Sequence, residues 1–146
     1  MAMMCVVDGE KYFIGFVDTD GGRHQSKRPK QKNDCTIRAI AITTGVDYDV
    51  IYDRLKKLGR NCNGKTPSKV SKDYMTKYVA HRYHSFPAVK DEPRMNVMTF
   101  CRQYNKGRFI VRIAKHHFAL VDGVIHDDGP IVDDGFKCVY GAYEII

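Results

Sequence analysis

The chain contains no Cys-x-x-Cys pair, so spacing gives no support for a structural zinc site. It contains no apolar run near the ~20 residues of a membrane-spanning helix, which excludes that kind of span. Its start, MAMMCVVDGEKYF, has neither a long apolar segment nor a small-residue cleavage site. No secretory signal is therefore expected, and the cytoplasm is the expected location. There is no internal repeat and no long low-complexity segment. The stretch DTDGGRHQSKRPKQKN begins with carboxylates but lacks the acidic residue that closes a calcium loop. No metal and no cofactor are expected. The five cysteines (Cys5, Cys35, Cys62, Cys101 and Cys138) are odd in number and widely spread. With no export signal expected, no disulfide framework is expected either.

The 146 residues fit one domain with one core. Basic residues are in excess, and the formal net charge is +7. They are densest in GRHQSKRPKQK, with Arg23, Lys27, Arg28, Lys30 and Lys32, and the bias continues through Lys56, Lys57, Arg60, Lys65, Lys69, Lys72 and Lys77. The end of the chain is acidic, with Asp127, Asp128, Asp133 and Asp134. Such a balance describes either a solvated surface or a surface for an anionic partner, nucleic acid or acidic protein.

Patterning along the chain gives an α+β order. MMCVVDGEKYFIGFV reads as two strands around an Asp8-Gly9 turn. Asp34 is placed to cap a helix from Cys35 to about Thr44, apolar on nearly every side and so expected in the centre of the fold, with Gly45 as its stop. Asp47 then heads YDVIYDRLKKL, whose Val50, Ile51, Leu55 and Leu58 form one stripe ended by Gly59. Thr66-Pro67 opens a third helix, PSKVSKDYMTKYVAHRY, and MNVMTFCRQYNKG reads as a fourth. The period then changes to two, and RFIVRIAK, HFALV, VIHD and CVYGAYEII read as strands. The expected organisation of residues 1–146 is a hairpin and basic loop (1–33), a helical part (34–106) and an antiparallel sheet (107–146). Tyr48, Tyr52, Tyr74, Tyr78 and Tyr83 sit near helical spacings and read as packing rather than a base-stacking platform.

Chemistry concentrates in two stretches. In KNDCTIRAIAITTG, Cys35 stands where a loop becomes a helix, where the helix dipole favours a thiolate. In RFIVRIAKHHFALVDGVIHDDG, Asp122-Gly123 is a strong hairpin signal. Counting outward pairs Val121 with Val124, Leu120 with Ile125 and Ala119 with His126. One face then holds His116, Phe118, Leu120, Ile125 and Asp127; the other holds His117, Ala119, Val121, Val124, His126 and Asp128. The first face carries the larger apolar groups and is expected to pack on the Cys35 helix. On it His116 lies diagonal to Asp127. A thiol nucleophile needs a base and an orienting group, and Cys35, His116 and Asp127 supply them. His117 with Asp128 is the alternative pair. Arg38, alone in an apolar helix, is expected to meet a carboxylate, with substrate binding as the other possibility.

The order Cys, His, Asp, with the Cys heading a central helix and the others on the following sheet, resembles papain-like cysteine peptidases. NDCTIRAIAITTGVDYDVIYDRL with GRFIVRIAKHHFALVDGVIHD resembles, more narrowly, small papain-like proteins of tailed phages and bacteria. The resemblance implies a papain-like α+β fold with Cys35 as nucleophile, His116 as base and Asp127 as orienting residue. It favours His116 over His117, because the family's base stands six positions before the residue that precedes the turn glycine, here Asp122. Papain-like enzymes carry an oxyanion-donating Gln about six positions before the Cys, and here that position is Pro29. Gln31 and Asn33 are the nearest substitutes. The implied function is hydrolysis or transfer at an amide, isopeptide or thioester bond, on a protein or peptide substrate, of the host if the chain is phage-encoded. The competing function is a non-catalytic binding protein on the same fold that engages nucleic acid or an acidic host protein through its basic loop. No membrane partner is implied.

Overall fold

A computed structural model describes residues 2–7, 10–129 and 137–146, with side chains described from Phe13 onward. The Asp8-Gly9 turn and the carboxylates of Asp133 and Asp134 lie outside the described residues. The class is α+β. The helices are α1 (Cys35–Thr44), α2 (Tyr48–Leu58), α3 (Ser68–Tyr78) and α4 (Val97–Gln103). The strands are β1 (Ala2–Val7), β2 (Glu10–Asp18), β3 (His81–Ser85), β4 (Arg108–Ile113), β5 (His116–Val121), β6 (Val124–Asp127) and β7 (Gly141–Ile145), in the spatial order β1-β2-β6-β5-β4-β7-β3.

The strands within 107–146 pair antiparallel as expected, and the sheet becomes mixed where the first hairpin joins it. β2 and β6 run parallel, with Phe16 opposite Ile125 and Asp18 opposite Asp127. Parallel neighbours need a long crossover, and the four helices and strands β3–β5 that separate the two in sequence supply it. The other ladders are antiparallel. The third helix is shorter than its pattern suggests. It stops at Tyr78, Val79 turns extended, and His81–Ser85 instead pairs with β7. No glycine or proline marks that boundary; YHSFPAV reads as a short strand or an extended link, and pairing with β7 moves the strand's start back to His81. The last strand begins at Gly141 rather than Cys138.

The sheet separates two apolar clusters. Phe109, Val111, Phe118, Leu120 and Ile125 pack with Val97, Met98, Phe100 and Cys101 of α4. Ile110 and Tyr143 pack with α1, α2 and α3. The expectation that α1 covers the face of Phe118 and Leu120 is therefore corrected: α1 lies over the opposite face. Two bonds fix it there, Thr36 Oγ1 with His117 Nδ1 at 2.7 Å and Arg108 Nη1 to the Thr43 carbonyl at 2.6 Å. The physical reason is space. The α1 face presents Ala119, buried and small, and a helix carrying Ala39, Ile37 and Ile40 can lie close to it; the bulkier face receives Phe100 and Met98 instead. α1 ends at Gly45, whose φ of 74° is the left-handed conformation that closes a helix.

The β5–β6 hairpin follows the expected register: Val121–Val124, Leu120–Ile125 and Ala119–His126. Asp122 and Gly123 have φ of 49° and 80°, as a two-residue type I′ turn requires. The Asp122 carboxylate accepts from the Gly107 N–H at 2.9 Å, tying the turn to the start of β4.

Candidate active site

Cys35 is the first residue of α1, half-buried, on the wall of a pocket of about 210 Å³ that His116 and His117 also line. The histidines begin β5 immediately after Lys115, whose φ of 58° makes the tight return from β4. His116 Nε2 meets Asp127 Oδ2 at 2.6 Å. That contact leaves Nδ1 for the sulfur. Asp127 ends β6, and its side chain is only 3% exposed.

Behind Asp127 stands a chain of alternating charge. Arg38 Nη1 donates to Asp127 Oδ1 at 2.6 Å and Arg38 Nε to Asp34 Oδ1 at 3.0 Å. Asp34 also accepts from Tyr48 Oη at 2.7 Å and from Arg23 Nη1 at 3.1 Å, and Arg23 Nη2 reaches Asp128 Oδ2 at 2.7 Å. Asp34 thus makes no side-chain cap on α1, and Asp47 makes none on α2. The Asp34 carboxylate is consumed by Arg23, Arg38 and Tyr48. Such a network is held because each buried charge has a partner; deleting one partner strands the next, at a cost of about 3–5 kcal/mol.

The electrostatics follow from this arrangement. Burial pushes the Cys35 thiol up, but hydrogen bonds from the rings of His116 and His117 and from the His117 backbone pull it down further, to about 5. Burial pushes His116 down, but its bond to Asp127 and then its bond to Cys35 raise it to about 9. Between those values the pair exists as thiolate and imidazolium. The thiolate is lost as pH falls through about 5, and the imidazolium as pH rises through about 9. Arg38 neutralises Asp127 from behind, so the carboxylate orients the ring as half of an ion pair.

The alternative pair is not assembled. His117 Nδ1 is engaged by Thr36 Oγ1, while the Asp128 carboxylate pairs with Arg23 beyond the end of β6. Gln31 and Asn33 turn toward the loop at 61–64. Gln31 Oε1 accepts from Arg60 Nη1 at 3.2 Å and from the Asn63 N–H at 2.8 Å, and its amide nitrogen faces Cys62 Sγ at 3.9 Å. Asn33 Nδ2 donates to the Asn63 carbonyl at 2.7 Å. Neither lines the Cys35 pocket. The pair braces the loop leading to Cys35 instead of presenting an amide to an oxyanion.

Sequence reasoning missed three contributors. Asp34 was read as a cap, although its i,i+4 spacing to Arg38 was a visible signal. Arg23 was read as part of a basic loop. Arg60, 3% exposed, clamps the carbonyl of Lys32 at 3.1 Å and so holds the approach to Cys35; nothing in RNCNG pointed to it. The basic loop itself is partly spent, since Arg28 pairs with Asp49 at 2.7 Å and Asp53 at 3.1 Å. Among the described residues no group of three or more His, Cys, Asp or Glu is placed to hold a metal ion, and no helix is long and apolar enough to cross a membrane. Compared with known proteins, the chain matches no family model, no curated protein and no solved structure.

Proposed function

We propose that the protein is a papain-like cysteine hydrolase that acts on an amide, isopeptide or thioester bond, with Cys35 as nucleophile, His116 as acid and base, and Asp127 as the residue that orients the ring. One observation carries this reading: His116 bridges a buried carboxylate at 2.6 Å and a half-exposed thiol at the amino end of α1. A histidine of merely structural role has no need of a thiol lowered to about 5 in an open pocket.

The chemistry runs in two halves. The Cys35 thiolate attacks the acyl carbon, a C–S bond forms, and the carbonyl π electrons move to oxygen. The backbone N–H of Cys35, at the helix start, is a donor for that oxyanion. The His116 imidazolium gives its proton to the leaving nitrogen or sulfur as that bond breaks, leaving a thioester on Cys35. His116, now neutral, takes a proton from water; the hydroxide adds to the thioester carbon, and collapse expels the thiolate. Asp127 accepts from Nε2 throughout and keeps Nδ1 aimed at the sulfur.

The test is covalent labelling with an acyl-mimicking electrophile near neutral pH. One adduct on Cys35 is expected, absent from Cys35→Ala and strongly slowed in His116→Ala but not in His117→Ala. Folded protein that stays unlabelled, or equal loss in the two histidine variants, would overturn the assignment.

A further inference from the structure

The wall of the Cys35 pocket continues past the thiol. A larger depression of about 520 Å³ adjoins it, and Ser68 and Arg112 belong to both. Lys65 and Lys115 line the first with Arg112; Lys69 and Lys72 line the second. Neither wall contains an Asp or Glu. Lys69 is answered by Asp73 at 3.3 Å on its own helix. Among the described residues no carboxylate pairs with Lys65, Lys72, Arg112 or Lys115. Arg112 instead donates from Nη1 to the hydroxyl of Tyr83 at 2.7 Å, which holds the guanidinium in place without neutralising it. A positioned, uncompensated Arg with lysines around it is a receptor for carboxylates.

Its position relative to the thiol sets what the ligand must be. Arg112 sits directly opposite His117 in the β4–β5 ladder. Directly paired side chains are about 5 Å apart, and an extended chain advances about 3.3 Å per residue. A chain with its acyl carbon at Cys35 therefore passes Arg112 about two residues away. We infer that the substrate is an acidic polypeptide segment, with Asp or Glu side chains seated on Arg112 and Lys72 about two residues from the bond that Cys35 attacks. This rests on the hydrolase reading, which requires an acyl carbon. It also favours a peptide over a nucleic acid, which offers no acyl carbon for a thiolate to attack.

The experiment separates binding from chemistry. Fluorescently labelled peptides of one length, rich in Glu, Gln or Lys, are titrated by anisotropy into Cys35→Ala protein, beside a single-stranded oligonucleotide of matched charge. The Glu peptide is expected to bind at least about tenfold more tightly than the Gln peptide at low salt, and to lose about that factor in Lys72→Glu, at an exposed position, and in Arg112→Gln. In the wild type, cleavage of a Glu-containing thioester series should show the same preference in kcat/KM. Equal binding of the Glu and Gln peptides, or tighter binding of the oligonucleotide, would overturn the inference. Preferential Glu binding without any cleavage would sustain the acidic groove and overturn the hydrolase reading.

Discussion

The two sides of Cys35 treat charge in opposite ways. Behind the thiol, Arg23, Asp34, Arg38 and Asp127 are buried or half-buried, and each is matched by an opposite charge within 3.2 Å. In front of it, Lys65 and Lys115 are exposed, and Arg112, half-buried, meets a tyrosine hydroxyl rather than a carboxylate. Charge removed from water must be paired or it destabilises the fold, so the rear network is architecture. Charge left in water and unpaired costs the fold little, so the front is available to a ligand. The contrast also explains why a net charge of +7 says little by itself. Arg23 and Arg28, which head the basic loop, serve the interior and the α2 surface, while lysines scattered through other elements converge on the pocket.

Substitutions on the two sides should diverge, and the largest divergence concerns stability. Arg38→Leu leaves Asp34 and Asp127 facing each other without their shared cation, and should lower unfolding free energy by about 3–5 kcal/mol in denaturant titrations. Lys115→Gln should change it by less than about 0.5 kcal/mol. Similar values for the two would break the comparison.

Asp127→Asn should have a smaller effect on folding and a specific effect on chemistry. With the anion gone, the His116 ring loses its main support and its pKa falls from about 9. The imidazolium then disappears at lower pH, so the alkaline limb of the Cys35 labelling profile moves down by about 1–3 units. The labelling rate at neutral pH should fall by about 10²-fold, in the range of a lost acid–base contribution. An unmoved alkaline limb would assign that limb to another group.

Thr36→Val is the mildest. It removes one hydrogen bond to His117, worth about 1 kcal/mol, and should leave the labelling profile in place. A collapse of labelling would transfer the base role to His117.

How much of this was legible depended on the range of the interaction. The β5–β6 hairpin needs only period two and an Asp-Gly turn, and counting from Asp122 places His116 diagonal to Asp127. Helices α1 and α2 were readable to the residue because Gly45 and Gly59 stop them. The covering of each sheet face was not readable, since alternation lists the two faces without saying which helix lands on which. The end of α3 failed for a related reason: its boundary is set by β7, some 60 residues away in the His84–Glu144 contact. Asp34 obeyed a local rule as a cap candidate, but a tertiary arginine and a tyrosine competed for the same oxygens and won. Gln31 shows the converse, a residue close in sequence to the expected donor whose amide is claimed by a loop 32 residues on.

The parallel seam between β2 and β6 carries one more consequence. β6 spans only Val124–Asp127, and its outer neighbour is β2, with the Thr19 amide just beyond that strand clasping the Asp127 carbonyl at 2.9 Å. The carboxylate that meets the His116 ring thus sits on a strand held by residues 16–19. During synthesis Cys35 leaves the ribosome long before His116 and Asp127 exist. Until both are made and β6 has docked beside residues 16–18, the thiol lacks the histidine hydrogen bonds that pull it down to about 5.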